Sequence, residues 1–271
     1  MNTIQQNKIL NTADEHQQAI VKIIEALSRT YGLDRVWSDW VEICAIALAR
    51  ADRAQFEARE TRYLSIVNHY DKKELNGLVQ AFSHLVMAFE KHVENGQIID
   101  VLGKIFMMLN MGNSNSGQFF TPFEVSLTMA QILAPKNGYD IIQQRGYIRL
   151  AEPTAGAGGM IIAYARTMAD VGHNYQKELH ATAMDIDSRC VHMTFVQLAL
   201  LHIPAVVIHG NTLTVEEWQH WYTPAHIMGG WHWRLQKFDM VIKHPERPEP
   251  ELTIPMPSIE NLLAADQLQL F

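Results

Sequence analysis

Thiols are scarce: Cys44 and Cys190 are the only cysteines, and both fall in segments that read as helices. That excludes a disulfide framework and points to a reducing compartment. A run of eighteen or more apolar residues is also missing, which argues against a spanning helix. The N-terminal stretch MNTIQQNKILNTADEHQQ is polar rather than signal-like. The expectation is a soluble cytoplasmic protein with no membrane partner. Positive charge is in deficit too, with a net charge of -7 and a pI near 6.0. The field of the whole chain therefore repels nucleic acid, and any DNA contact must come from a local patch or a partner. His220, His226 and His232 recur every six residues without cysteines, which matches no usual zinc spacing.

What is present is apolar content: 48% hydrophobic residues in 271, enough to bury a substantial core as one or two domains. Residues 1–112 read as all-helical. Ile20, Ile23, Ile24, Leu27 and Tyr31 share one helical face, with Gly32 placed to stop that helix. Trp37, Val41, Cys44 and Leu48 continue the pattern, as do Leu75, Val79, Phe82, Val86 and Phe89. Asp71 and Glu74 have capping-box spacing ahead of that last stripe. Ile98, Val101, Leu102, Ile105, Phe106 and Leu109 suggest a final helix. These stripes are packing faces and carry no chemistry. The polar loop MGNSNSGQ then runs into FFTPFE, where Thr121 reads as a cap, Pro122 as the first helical residue and Glu124 as the box partner.

The period changes at Tyr147. Ile148, Leu150 and Ala151 read as a buried strand, followed by a turn of very small residues, Ala155 to Gly159, and an apolar helix from Met160 to Met168. Strand, glycine turn and helix let a backbone approach a ligand closely, although the glycines lack the G-x-G-x-x-G register of the dinucleotide fingerprint. ELHATAM reads as a second strand with Asp185 at its end, SRCVHMTFVQLALLH as a helix and AVVIH as a third strand ending at Gly210-Asn211. FDMVI reads as a fourth strand, ending at Lys243-His244-Pro245. Strands alternating with helices imply a mainly parallel, doubly wound sheet, with ligands outside the strands' carboxyl ends. The tryptophan-rich stretch 214–237 reads as a loop, serving as lid, partner surface or stacking platform.

These elements in this order resemble the N6-adenine DNA methyltransferases, most closely the modification subunit of type I restriction-modification systems. The resemblance rests on Gly117-Gln118-Phe119-Phe120-Thr121-Pro122, Glu152-Pro153-Thr154-Ala155-Gly156-Ala157-Gly158-Gly159, Asp185, Gly210-Asn211-Thr212-Leu213 and the strand entering His244-Pro245. It implies an α/β chain: a helical domain (1–112), a truncated Rossmann-like methyltransferase domain (113–248) and a proline-rich linker with a C-terminal tail (249–271). It also implies S-adenosylmethionine as cofactor, held by Phe119, Thr121, Glu152, Thr154, Gly156, Gly158, Asp185 and Asn211. Asp185 would take the ribose hydroxyls, and Asn211 the adenine.

The family's Asn-Pro-Pro-aromatic motif is replaced by His244-Pro245-Glu246-Arg247. The resemblance assigns His244, Pro245 and Arg247 to the catalytic position, where the motif's acceptors meet the target amino group and its aromatic stacks on the flipped base. Neutral His offers one acceptor nitrogen and protonated His none. The last five residues, Gln267-Leu268-Gln269-Leu270-Phe271, resemble the peptide that bacterial proteins insert into the sliding clamp, with Gln267, Leu268, Leu270 and Phe271 as anchors. Two functions follow: an adenine-N6 DNA methyltransferase acting with a specificity or second methylase subunit, or an inactive methylase-like module recruited to the clamp.

Overall fold

A computed structural model describes residues 13–111, 120–134 and 140–236. Contacts divide the chain into Met1–His232 and Trp233–Phe271, and every element named below lies in the first unit. Four helices lead: α1 (Glu15–Tyr31), α2 (Leu33–Leu48), α3 (Phe56–Val67) and α4 (Lys72–Glu94), with short 3-10 turns before α3. Gly32 ends α1 at φ 82°, a conformation open to glycine and strained for other residues. The Asp71–Glu74 capping box at the start of α4 is formed from both sides. Asp14 and Gln17 make a second box on α1.

The buried face of α4 differs from the stripe expected for it. Leu78, Ala81, Leu85, Ala88 and Phe89 are buried, whereas Val79 is 63% exposed. The two alanines belong to this buried face, and a pattern based on large side chains passes over them. Helix α5 (Val101–Met108) buries its whole expected stripe. Helix α6 (Phe123–Leu133) begins one residue later than the motif suggested. Pro122 itself takes the cap position and no side chain caps the helix, so Thr121 lies outside the helix start.

After the short α7 (Asp140–Arg145) come β1 (Ile148–Glu152), α8 (Gly159–Asp170), α9 (Tyr175–Glu178), β2 (Leu179–Asp185), α10 (Ser188–Leu200) and β3 (Ala205–Asn211). Strands β1, β2 and β3 are parallel neighbours, with Ile148 opposite Leu179 and Ala181 opposite Ala205. The fold is α/β, helices first and a parallel-dominant sheet after, as expected.

Part of the tryptophan-rich stretch is not a loop. Residues Glu216–Tyr222 form β4, antiparallel to β3 at the end of the described sheet order β1-β2-β3-β4. Of β4 only Trp221 is fully buried, so its sequence shows no apolar alternation to announce it. A bulge at His209/Gly210 sets the register, and a Cβ at Gly210 would run into the carbonyl of Glu216. Helix α11 (Pro224–Met228) follows, capped by Thr223. The expected fourth strand, Phe238–Ile242, lies outside the described residues. Among the described residues no helix is long and apolar enough to cross a membrane, and no cluster of three or more His, Cys, Asp or Glu could hold a metal.

One hydrophobic cluster runs from Trp37 and Trp40 through Phe106 to Phe195 and Val207, so helices and sheet share a core. Within it sits the amide of Gln197 on α10, fully buried. Its Oε1 accepts from the backbone N–H groups of Val101 (2.9 Å) and Leu102 (3.0 Å). Its Nε2 donates to Asp100 Oδ1 and to the carbonyl of Ala157, both at 2.7 Å. Substituting Gln197→Leu would orphan three buried backbone groups at roughly 1–3 kcal/mol each. We predict a loss of about 3 kcal/mol or more in denaturant unfolding; an unchanged midpoint would show that this amide is not a structural joint.

Candidate functional site

The carboxyl ends of β1, β2 and β3 lie side by side, and a cavity of about 710 Å³ opens there. That lies within the roughly 300–1,000 Å³ common for small-molecule and cofactor sites. Its walls include Thr154 and Gly156 from the turn after β1, Asp185 and Ile186 from the end of β2, and Asn211 to Leu213 from the end of β3. Phe120 and Thr121 line it from the segment before α6, and Asp100 from the start of α5.

The glycine turn is held from three sides. Ala155 N–H donates to the Met184 carbonyl, Gly156 N–H to Asp185 Oδ2 at 2.8 Å, and Thr194 Oγ1 to the Gly156 carbonyl at 3.0 Å. Gly156 (φ 57°) and Gly158 (φ 87°) both occupy the left-handed region. A Cβ at Gly156 would lie 3.0 Å from the Phe120 ring, and one at Gly158 would lie 3.2 Å from the Thr194 methyl. Glycine is therefore required for the conformation and for the close approach of the neighbouring side chains.

Asp185 accepts from Gly156 N–H through Oδ2 and from Asp187 N–H through Oδ1 (2.9 Å). Burial raises its pKa above the usual carboxylate range, with those backbone bonds opposing the shift. Each oxygen keeps a further lone pair for a ligand hydroxyl. Asn211 Oδ1 accepts from Leu213 N–H at 3.0 Å, which folds the loop back, and Thr212 Oγ1 donates to the Pro153 carbonyl.

Of the residues assigned from sequence, Thr121, Thr154, Gly156, Asp185 and Asn211 converge on this one cavity. Glu152 and Gly158 are not among its lining residues. The Glu152 carboxylate instead accepts from Thr154 N–H at 3.2 Å, bracing the turn, and Gly158 sits against Thr194. Phe119, His244, Pro245, Arg247 and the tail residues Gln267, Leu268, Leu270 and Phe271 lie outside the described residues.

A profile of the N-6 DNA Methylase family matches residues 97–248, just over half the chain. The chain belongs to the N-6 DNA methylase family. No curated protein matches it. Among solved structures, it is similar to a Listeria monocytogenes protein assigned as a class I S-adenosylmethionine-dependent methyltransferase, at 13% identity and a TM-score of 0.41. The match covers 74% of this chain and 55% of that one.

Among the wall residues that no motif marks are Asp100 and Ser126. Ser126 sits inside α6 with no motif to mark it. Asp100 directly precedes Val101-Leu102 and caps α5, with Oδ1 accepting from Gly103 N–H at 2.7 Å; an Asp ahead of an apolar pair is the signal the sequence offers. Burial pushes the Asp100 carboxyl up to about 6, against the opposing bonds from Gln197 and Gly103.

A carboxyl whose folded pKa exceeds its unfolded value stabilises the fold while protonated, and that contribution is lost as pH rises through the folded pKa. We predict that, without ligand, the stability of Asp100→Asn relative to wild type shifts in the variant's favour between about pH 4 and about pH 7. Denaturant unfolding across that range checks this; a shift in the opposite direction would mean that the fold stabilises the ionised form.

Proposed function

We propose that this N-6 DNA methylase family member is an S-adenosylmethionine-dependent DNA adenine-N6 methyltransferase. The observation that carries the reading is the convergence of Thr121, Thr154, Gly156, Asp185 and Asn211 on one cavity at the strand ends. The cofactor supplies an electrophilic methyl group on a sulfonium centre. Asn211 would contact its adenine and Asp185 its ribose hydroxyls. The glycine turn and Thr121 would flank its amino-acid half.

His244, Pro245 and Arg247 would meet the target base, with neutral His244 accepting a hydrogen bond from the amino group and Arg247 stacking on the ring. Holding the amine in line and excluding water is the main contribution such a site makes. Because the chain's net charge is -7, DNA engagement and sequence choice fit a separate specificity or second methylase subunit, as in type I restriction-modification systems. A second reading, a methylase-like module that binds cofactor without transferring methyl, is favoured by His244-Pro245-Glu246-Arg247 standing in place of Asn-Pro-Pro-aromatic.

Calorimetric titration with S-adenosylmethionine should give a dissociation constant on the order of micromolar, weakened at least about tenfold by Asp185→Ala. Radiolabelled methyl transfer to unmethylated DNA then separates the readings. Transfer supports the enzyme, binding without transfer supports the module, and no binding by the wild type removes both. Methylation of a defined sequence by the chain alone would remove the need for a specificity subunit.

The terminal Gln267-Leu268-Gln269-Leu270-Phe271 would deliver either form to the sliding clamp by seating Leu268, Leu270 and Phe271 in an apolar groove. Changing Leu270 and Phe271 to Ala should abolish co-elution with a bacterial clamp. Equal retention by this variant would exclude the tail as the contact.

A further inference from the structure

At the end of the cavity nearest β1, three elements meet. Asp100 caps α5, Ser126 comes from the first half of α6, and Gly159 opens α8. A Cβ placed on Gly159 would lie 3.2 Å from Asp100 Oδ2 and 3.9 Å from Ser126 Oγ, so both polar atoms crowd the first turn of α8. Among the described residues, the two donors that reach the Asp100 carboxylate, from Gly103 and Gln197, both bond to Oδ1. Oδ2 takes neither of these bonds, and Asp100 and Ser126 are both wall residues of the cavity. Ser126 is 1% exposed, and its hydroxyl has no hydrogen-bond partner among the described residues. Among the described residues the hydroxyl has no partner and the carboxylate no salt bridge, and each is costly when buried unless a ligand completes it.

The order of the strand ends indicates which part of a ligand arrives there. Strands β3, β2 and β1 are successive neighbours, about 4.8 Å apart. With the adenine at Asn211 and the ribose at Asp185, the methionine half reaches the β1 end, beside Gly159 and Met160. A carboxylate with an open oxygen repels the carboxylate of that half and attracts its ammonium. Resting on the cofactor reading above, we propose that Asp100 Oδ2 and Ser126 Oγ form the receptor for the α-ammonium group of the cofactor's methionine half. Asp100 takes the charge and one N–H, and Ser126 accepts a second. The helical segment would then be a wall of the cofactor site, since its α5 cap selects ligands that carry the amino acid.

The test uses the full chain and two ligands that share the adenosine half. S-adenosylhomocysteine carries the ammonium, and 5′-methylthioadenosine lacks the amino-acid part. Asp100→Asn keeps an oxygen for Gly103 and Gln197 while removing the charge. By calorimetry it should weaken S-adenosylhomocysteine at least about tenfold, the range of a charge-assisted hydrogen bond, and change methylthioadenosine less than about twofold. Ser126→Ala, which breaks no hydrogen bond within the described residues, should weaken S-adenosylhomocysteine about threefold or more and leave methylthioadenosine unchanged. It stands as the test if Asp100→Asn fails to fold. Equal losses for the two ligands would assign these residues a structural role and overturn the proposal, as would no loss for either. A wild-type chain that binds neither ligand would instead remove the cofactor reading on which the proposal rests.

Discussion

The amide of Gln197 is the joint of this protein. A glutamine side chain offers one oxygen and one NH₂, and here each makes two bonds, to the first N–H groups of α5, to the Asp100 carboxylate and to the carbonyl of Ala157 in the glycine turn. One residue of α10 thereby fixes the start of a helix from the N-terminal segment against the turn that follows β1. In an apolar core such a fully satisfied amide is directional in a way that hydrophobic contacts are not. It sets where the turn lies, and so where the cavity opens.

The same joint explains the position of Asp100. Gln197 and Gly103 hold Oδ1, which restrains the carboxylate and leaves Oδ2 outside these bonds. Keeping an ionisable group in a buried place costs stability, and its raised pKa is the measure of that cost. Groups of this kind cluster where a protein handles ligands. Asp185 repeats the pattern at the neighbouring strand end, where burial opposes its charge and two backbone N–H groups support it. Two carboxylates therefore line one cavity, each anchored through backbone or amide bonds.

The glycine turn was legible because its constraint is local. Left-handed backbone at Gly156 and Gly158 demands glycine whatever surrounds it. The strand-and-helix alternation from Ile148 to His209 was legible because buried parallel strands are short apolar runs. Other features were not. Ala81 and Ala88 carry the buried ridge of α4, and small residues leave no mark in a pattern of large ones. Strand β4, last in the described sheet order and with most of its residues exposed, reads as polar and aromatic loop. The Thr121-Pro122 signature named the right helix but placed its cap one residue early.

By itself the sequence determined the α/β class, the positions of the strands around the glycine turn and the identity of five cavity residues, because backbone angles and hydrophobic periodicity are properties of neighbours along the chain. The pairing of Asp100 and Ser126 at the first turn of α8 was decided by the tertiary structure alone. The two residues are 26 positions apart, lie on different helices and meet only because Gln197, a further 71 positions on, ties α5 to the turn. Hydrogen bonds that close such long loops leave no periodic trace in the chain that makes them.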